Sequence, residues 1–107
     1  MSLSLKTHRI GNRLVIDMVG RLTVLDQSLQ SLVRDCIKGG DRNFVLNMTQ
    51  LSYLDSSELA QLVSIHASIK EAGGSLVLAA PNPQILKMLD ITKLESVFEI
   101  VPDAPRL

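Results

Sequence analysis

At 107 residues the chain is long enough for one domain with a single hydrophobic core that needs no disulfide staples. With 46% hydrophobic, 21% charged and only 3% aromatic residues it has an ordinary globular composition whose interior must be filled by Leu, Ile, Val and Met. Eleven basic residues against eleven acidic ones leave no net charge, which argues against a nucleic-acid binder and against a polybasic membrane anchor.

The stretch "LKTHRIGN" alternates Leu5, Thr7 and Arg9 against Lys6, His8 and Ile10, and its Gly11-Asn12 is a turn signal. "LVIDMVG", Leu14 to Gly20, is rich in β-branched residues and reads as a strand, so the two are expected to pair as an antiparallel hairpin. In "DQSLQSLVRDCIKGG", Leu29, Leu32, Val33, Cys36 and Ile37 fall at i, i+3, i+4, i+7 and i+8, an amphipathic helix stripe. Asp26 is its expected N-cap, and Gly39-Gly40 supplies a left-handed C-terminal turn. "NFVLNM", Asn43 to Met48, is a short apolar run suited to a strand buried on both faces.

A second helix follows Asp55, with Leu59, Leu62, Val63, Ile65, Ile69 and Ala72 expected on its inner side and Gly73-Gly74 at its end. "SLVLAA" is another buried strand, stopped by Pro81. "NPQILKMLDI" reads as a short helix with Asn82 as cap, Pro83 at its first position, and Ile85, Leu86 and Leu89 facing inward. "TKLESVFEIV" is a helical turn leading into a last strand around Phe98 to Val101, before the tail "PDAPRL". Strands alternating with helices over short connections imply crossovers onto a largely parallel or mixed sheet.

Catalytic side chains are sparse. His8 and His66 lie far apart, no pair has metal-ligand spacing, and no glycine-rich phosphate loop is present. His66 falls in the apolar arc of its helix and reads as a packed core histidine before a ligand; Cys36, on an apolar stripe, reads as a small core hydrophobe. No enzyme activity, cofactor or metal is expected. One cysteine, no apolar run of about 20 residues and an N-terminal "MSLSLKTHRI" without the apolar core of a signal peptide lead to the expectation of a cytoplasmic protein without membrane insertion.

"DSSE", Asp55 to Glu58, carries two readings. As a capping box, Asp55 accepts from backbone N–H groups, Glu58 reaches back, and Leu54 and Leu59 form a hydrophobic staple. As a switch, an exposed serine in the first turn stands at the positive end of the helix dipole, where a phosphate is locally tolerated and adds about −1.5 to −2 charges.

"FVLNMTQLSYLDSSELAQLVSIHASIKEAGGSLVLAA" resembles the heart of the STAS domain, the family named for sulfate transporters and anti-sigma factor antagonists: a buried strand ending in Asn, a loop, then an Asp-Ser-Ser/Thr-Gly-Leu turn opening a helix. "VIDMVGRLT" resembles the family's strand ending in Gly-x-Leu, and "NPQILKMLDITKLESVFEI" its closing helix, turn and strand. The resemblance implies one α/β domain over residues 1–107, a mixed sheet with helices packed mainly on one side. In the antagonist branch it implies a partner switch: an anti-sigma factor that is also a serine kinase of histidine-kinase-like fold binds the domain, phosphorylates it to release it, and a phosphatase resets it. Carried onto this chain, the phosphoacceptor is Ser56, and partner contacts are expected at the loop Ser52, Tyr53 and Leu54 and at Asp55, Ser56, Ser57 and Glu58. Two positions depart from the family pattern, Glu58 where glycine is common and Thr23 where an acid often follows Gly-x-Leu. Glu58 in that place strengthens the cap, hinders a kinase or repels a phosphate. The departures leave room for a non-phosphorylated STAS scaffold or a subunit of a lipid-transport ABC system.

Overall fold

The structure is a computed structural model that describes residues 3–22 and 27–105. Its elements run β1 (Leu3–Ile10), β2 (Arg13–Leu22), α1 (Ser28–Lys38), β3 (Asn43–Leu54), α2 (Ser56–Glu71), β4 (Ser75–Ala79), α3 (Pro83–Ile91) and β5 (Glu99–Val101). This is the element order expected from the periodicities. The strands form one sheet in the order β1-β2-β3-β4-β5, with β1 antiparallel to β2 and every later neighbour parallel. Each crossover from β2 onward moves one strand over in the same direction. Because such crossovers are right-handed, three steps the same way carry all three helices to one face.

Strand alternation builds the core against that face. Leu14, Ile16 and Met18 of β2, Phe44, Leu46 and Met48 of β3, and Leu76 and Leu78 of β4 pack with inward residues of the helices in one buried cluster. Val15, Val45 and Ala79 point the other way into a smaller cluster with Ile10, Val77 and Val101. At 100° per residue (roughly, for an α-helix), Val63 and Leu86 fall beyond the edge of the buried arcs. The apolar pattern places both inside, whereas they are 37% and 43% exposed. Asp26 and Thr23 lie outside the described residues; the described α1 has Gln27 at its cap position, with no side-chain cap bond.

The largest difference from expectation is β3, which runs on from Met48 to Leu54. The segment Ser52-Tyr53-Leu54 is thus strand and not loop. Polar Thr49 and Gln50 interrupt the apolar run, but the strand keeps pairing with β2 through two register shifts, between Asp17 and Val19 and between Gly20 and Arg21. Each shift loops one extra residue out of β3, so the inward positions become Met48, Leu51 and Leu54, spaced by three instead of two.

The hairpin is tied to the α1–β3 connection by Arg9, whose guanidinium donates to both oxygens of Asp41. Those hydrogen bonds hold the Asp41 carboxyl below its ordinary pKa. A depressed carboxylate contributes stability above its unfolded-state pKa and loses it as pH falls through the folded value. The contribution is small because the Arg9 side chain is 61% exposed. On acidification below about pH 4, the wild-type unfolding midpoint is expected to fall more than that of Asp41→Asn; equal slopes would show that the pair adds nothing.

Candidate functional site

Two side chains fix the bulges that deliver β3 to α2. Asn47 donates from Nδ2 to Asp17 Oδ1 at 2.8 Å, while its Oδ1 accepts from Thr49 N and Thr49 Oγ1, tying the first bulge to β2. Ser52 Oγ, in the second, donates to Gly20 O at 2.9 Å. Gly20 has φ +110°, a conformation that strains any residue with a Cβ. Asp17 also faces His8, with Oδ2 3.3 Å from Nδ1 on the sheet face that carries no helix.

Asp55 caps α2 with extended backbone (φ −92°, ψ 169°). Its Oδ1 accepts from Glu58 N at 3.2 Å and from Ser57 Oγ at 2.7 Å. Such a cap stabilises the helix by about 0.5–2 kcal/mol. Leu54 before it and Leu59 after it are both buried in the core, as a staple requires. The two serines are therefore different. Ser57 is spent on the cap, whereas Ser56, at the first helical position, is exposed and its hydroxyl is bound to no other group among the described residues.

The seven residues expected at a partner surface separate by burial. Ser52, Ser56 and Ser57 are exposed, Tyr53 and Asp55 half-buried, and Leu54 and Glu58 are sealed at 0% and 1% exposure. Leu54 and Glu58 present no side-chain surface; they support the site from beneath. Glu58 lies in phase with Leu62, Ile65 and Ile69, the stripe that faces the sheet, and its Oε2 accepts from Gln61 Nε2 at 2.7 Å. That phase was legible in the sequence, but a carboxylate on an apolar stripe invites assignment to the surface. Arg21 carries no signature of a site in the sequence. Its guanidinium lies 4.3 Å from the centroid of the Tyr53 ring, a cation–π contact worth about 0.5–1 kcal/mol at an exposed position.

The other chemically interesting side chains serve packing. His66 is half-buried and meets Phe98 edge-on, with ring centroids 5.3 Å apart. Burial, then the charge of Asp41, pushes the Cys36 thiol up, which disfavours a reactive thiolate. No group of three or more potential metal ligands occurs among the described residues, and no described helix is long and apolar enough to cross a membrane.

The STAS domain family model matches residues 5–105. The anti-sigma-B factor antagonist of Bacillus subtilis (strain 168) is 26% identical over 102 residues, spanning 94% of this chain and 92% of that protein. Among solved structures, an anti-sigma factor antagonist from Mycobacterium paratuberculosis superposes with a TM-score of 0.82 at 16% identity, over 94% of this chain and 86% of that one. The Bacillus cell fate determinant SpoIIAA in its phosphorylated form gives 0.71 at 18% identity, over 92% and 91%. At such identities the structural matches establish a shared fold.

Proposed function

We propose that this chain, which belongs to the STAS domain family, is a partner switch of the anti-sigma factor antagonist type. Unmodified, it binds an anti-sigma factor that doubles as a serine kinase of histidine-kinase-like fold. Phosphorylation at Ser56 releases it, and a phosphatase restores the hydroxyl. The observation that carries this reading is the contrast between the two serines: Ser57 is locked to Asp55 while the Ser56 hydroxyl is exposed at the head of a helix.

Chemically, Ser56 Oγ attacks the γ-phosphorus of ATP, the bond to the β–γ bridging oxygen breaks, ADP leaves, and a base on the kinase takes the hydroxyl proton. The helix dipole tolerates the new phosphate on the free protein. A docked partner responds differently. Ser56, Ala60, Val63 and Ala67 lie at i, i+4, i+7 and i+11, a continuous exposed stripe without charge. Placing a dianion at its head means that re-docking must desolvate that charge, which costs roughly several kcal/mol unless it is paired. A solved relative of the same fold, SpoIIAA, is known in phosphorylated and unphosphorylated forms, which supports the reading.

Incubation with the cognate kinase and ATP is expected to add one phosphate by intact mass, and Ser56→Ala to abolish the addition. Ser56→Asp is expected to weaken kinase binding at least tenfold (about 1.4 kcal/mol). A wild-type chain that stays unmodified, and that co-purifies with permease and ATPase chains, would replace this reading with that of a STAS subunit of a lipid-transport ABC system.

A further inference from the structure

Two of the arginines are engaged by the fold itself. Arg9 is taken up by the Asp41 carboxylate, and Arg42 by the carbonyls of Ile37 and Asp41. Arg21 is held in another way. The ring of Tyr53 restrains its guanidinium, and among the described residues it forms no ion pair. An aromatic face fixes the guanidinium while leaving its edge free, so the planar fork of N–H donors remains open to solvent.

This placement is built by the backbone. Continued in register from Gly20 opposite Leu51, Arg21 would face Ser52; the second bulge loops Ser52 out and brings Tyr53 opposite Arg21 instead. The bond from Ser52 Oγ to Gly20 O closes that bulge, at the glycine whose φ of +110° suits few other residues. Tyr53 stands two residues before the cap Asp55, which puts the stacked pair at the same end of the sheet as Ser56.

We infer that Arg21, preorganised on Tyr53, is a specificity-determining residue of the partner surface and pairs with a carboxylate on the bound kinase. The inference rests on the partner-switch reading above. A guanidinium already held in place loses little further freedom on docking, matches a carboxylate with two parallel hydrogen bonds, and together with tyrosine belongs to the residue types that dominate binding at interfaces.

The test uses the full chain and, as probe, the purified anti-sigma factor kinase of histidine-kinase-like fold from the same organism. Arg21→Ala is expected to weaken binding at least tenfold and to flatten its dependence on salt. Arg21→Glu is expected to weaken it further, and Arg21→Lys, which keeps the charge without the fork, to recover less than half of the loss. In phosphorylation assays Arg21→Glu should raise KM and leave kcat unchanged, since Ser56 itself is untouched. Thermal unfolding of each variant should stay near that of the wild type, because Arg21 is exposed. Binding of Arg21→Ala within twofold of wild type, with Ser56 still phosphorylated and release intact, would overturn the assignment of Arg21 and leave the switch standing. A wild-type chain that the kinase neither binds nor modifies would overturn both.

Discussion

Gly74→Ala is expected to cost about 3 kcal/mol or more, whereas Gly73→Ala, its neighbour, is expected to cost about 1 kcal/mol. The reasons differ. Gly73 has φ +83°, so an alanine there adopts a strained conformation, yet its Cβ would meet nothing within 4 Å. Gly74 has no such φ, but its Cβ would overlap the carbonyl oxygen of Arg42 and lie 2.8 Å from the carbonyl carbon. Here the chain leaves α2 and enters β4: Gly74 N donates to Ile69 O, and Ser75 N donates to Arg42 O at 2.9 Å. The obstructing atoms are backbone at the entry to β3, held there by the Ser75 N bond to Arg42 O, and cannot rotate away as a side chain would. For a domain whose whole stability is roughly 5–15 kcal/mol, such a clash is severe. Thermal unfolding followed by circular dichroism should show Gly73→Ala melting a few degrees low and Gly74→Ala lower by about 12 °C or more, or insoluble. Equal melting of the two would show that the α2–β4 junction relaxes without strain.

From the sequence, that glycine pair reads only as a helix end; which of the two the fold cannot replace depends on how closely β3 approaches. The same division holds elsewhere. The strands, the helices and their order follow from local periodicity, because β-branched runs and amphipathic stripes carry their own period. Asn82 and Pro83 open α3 as their residue types dictate, with Asn82 Oδ1 accepting from Ile85 N at 2.9 Å. The extension of β3 is not local. It depends on pairing with β2, and the spacing Met48, Leu51, Leu54 betrays bulges only once the partner strand is known. Without that register the opposition of Arg21 and Tyr53 has no sequence signature. Ser56 was legible because a cap followed by a helical stripe sets its phase, and the phase sends it outward.

Glu58→Gly is expected to lower stability by about 3 kcal/mol, from the lost side-chain packing and the glycine's helix penalty together, and to leave the rate of Ser56 phosphorylation in the folded protein within about threefold of wild type (under 1 kcal/mol). From sequence alone this carboxylate reads as a brake on a kinase, since it stands two residues from the proposed acceptor, Ser56. Two residues along a helix are roughly 200° around it. Ser56 accordingly points to solvent while Glu58, 1% exposed, points to the core and accepts from Gln61 Nε2. It cannot shield the hydroxyl, and its removal opens space under the helix and not in front of it. Glu58→Gln separates charge from shape: it preserves the volume and offers Gln61 an amide oxygen in place of the carboxylate, so its loss of stability should be smaller than that of Glu58→Gly. Urea unfolding of the three proteins, with phosphorylation rates taken well below each midpoint, measures both quantities independently. Should Glu58→Gly unfold like wild type and be phosphorylated more than tenfold faster, the side chain guards the surface and its burial beneath α2 is wrong.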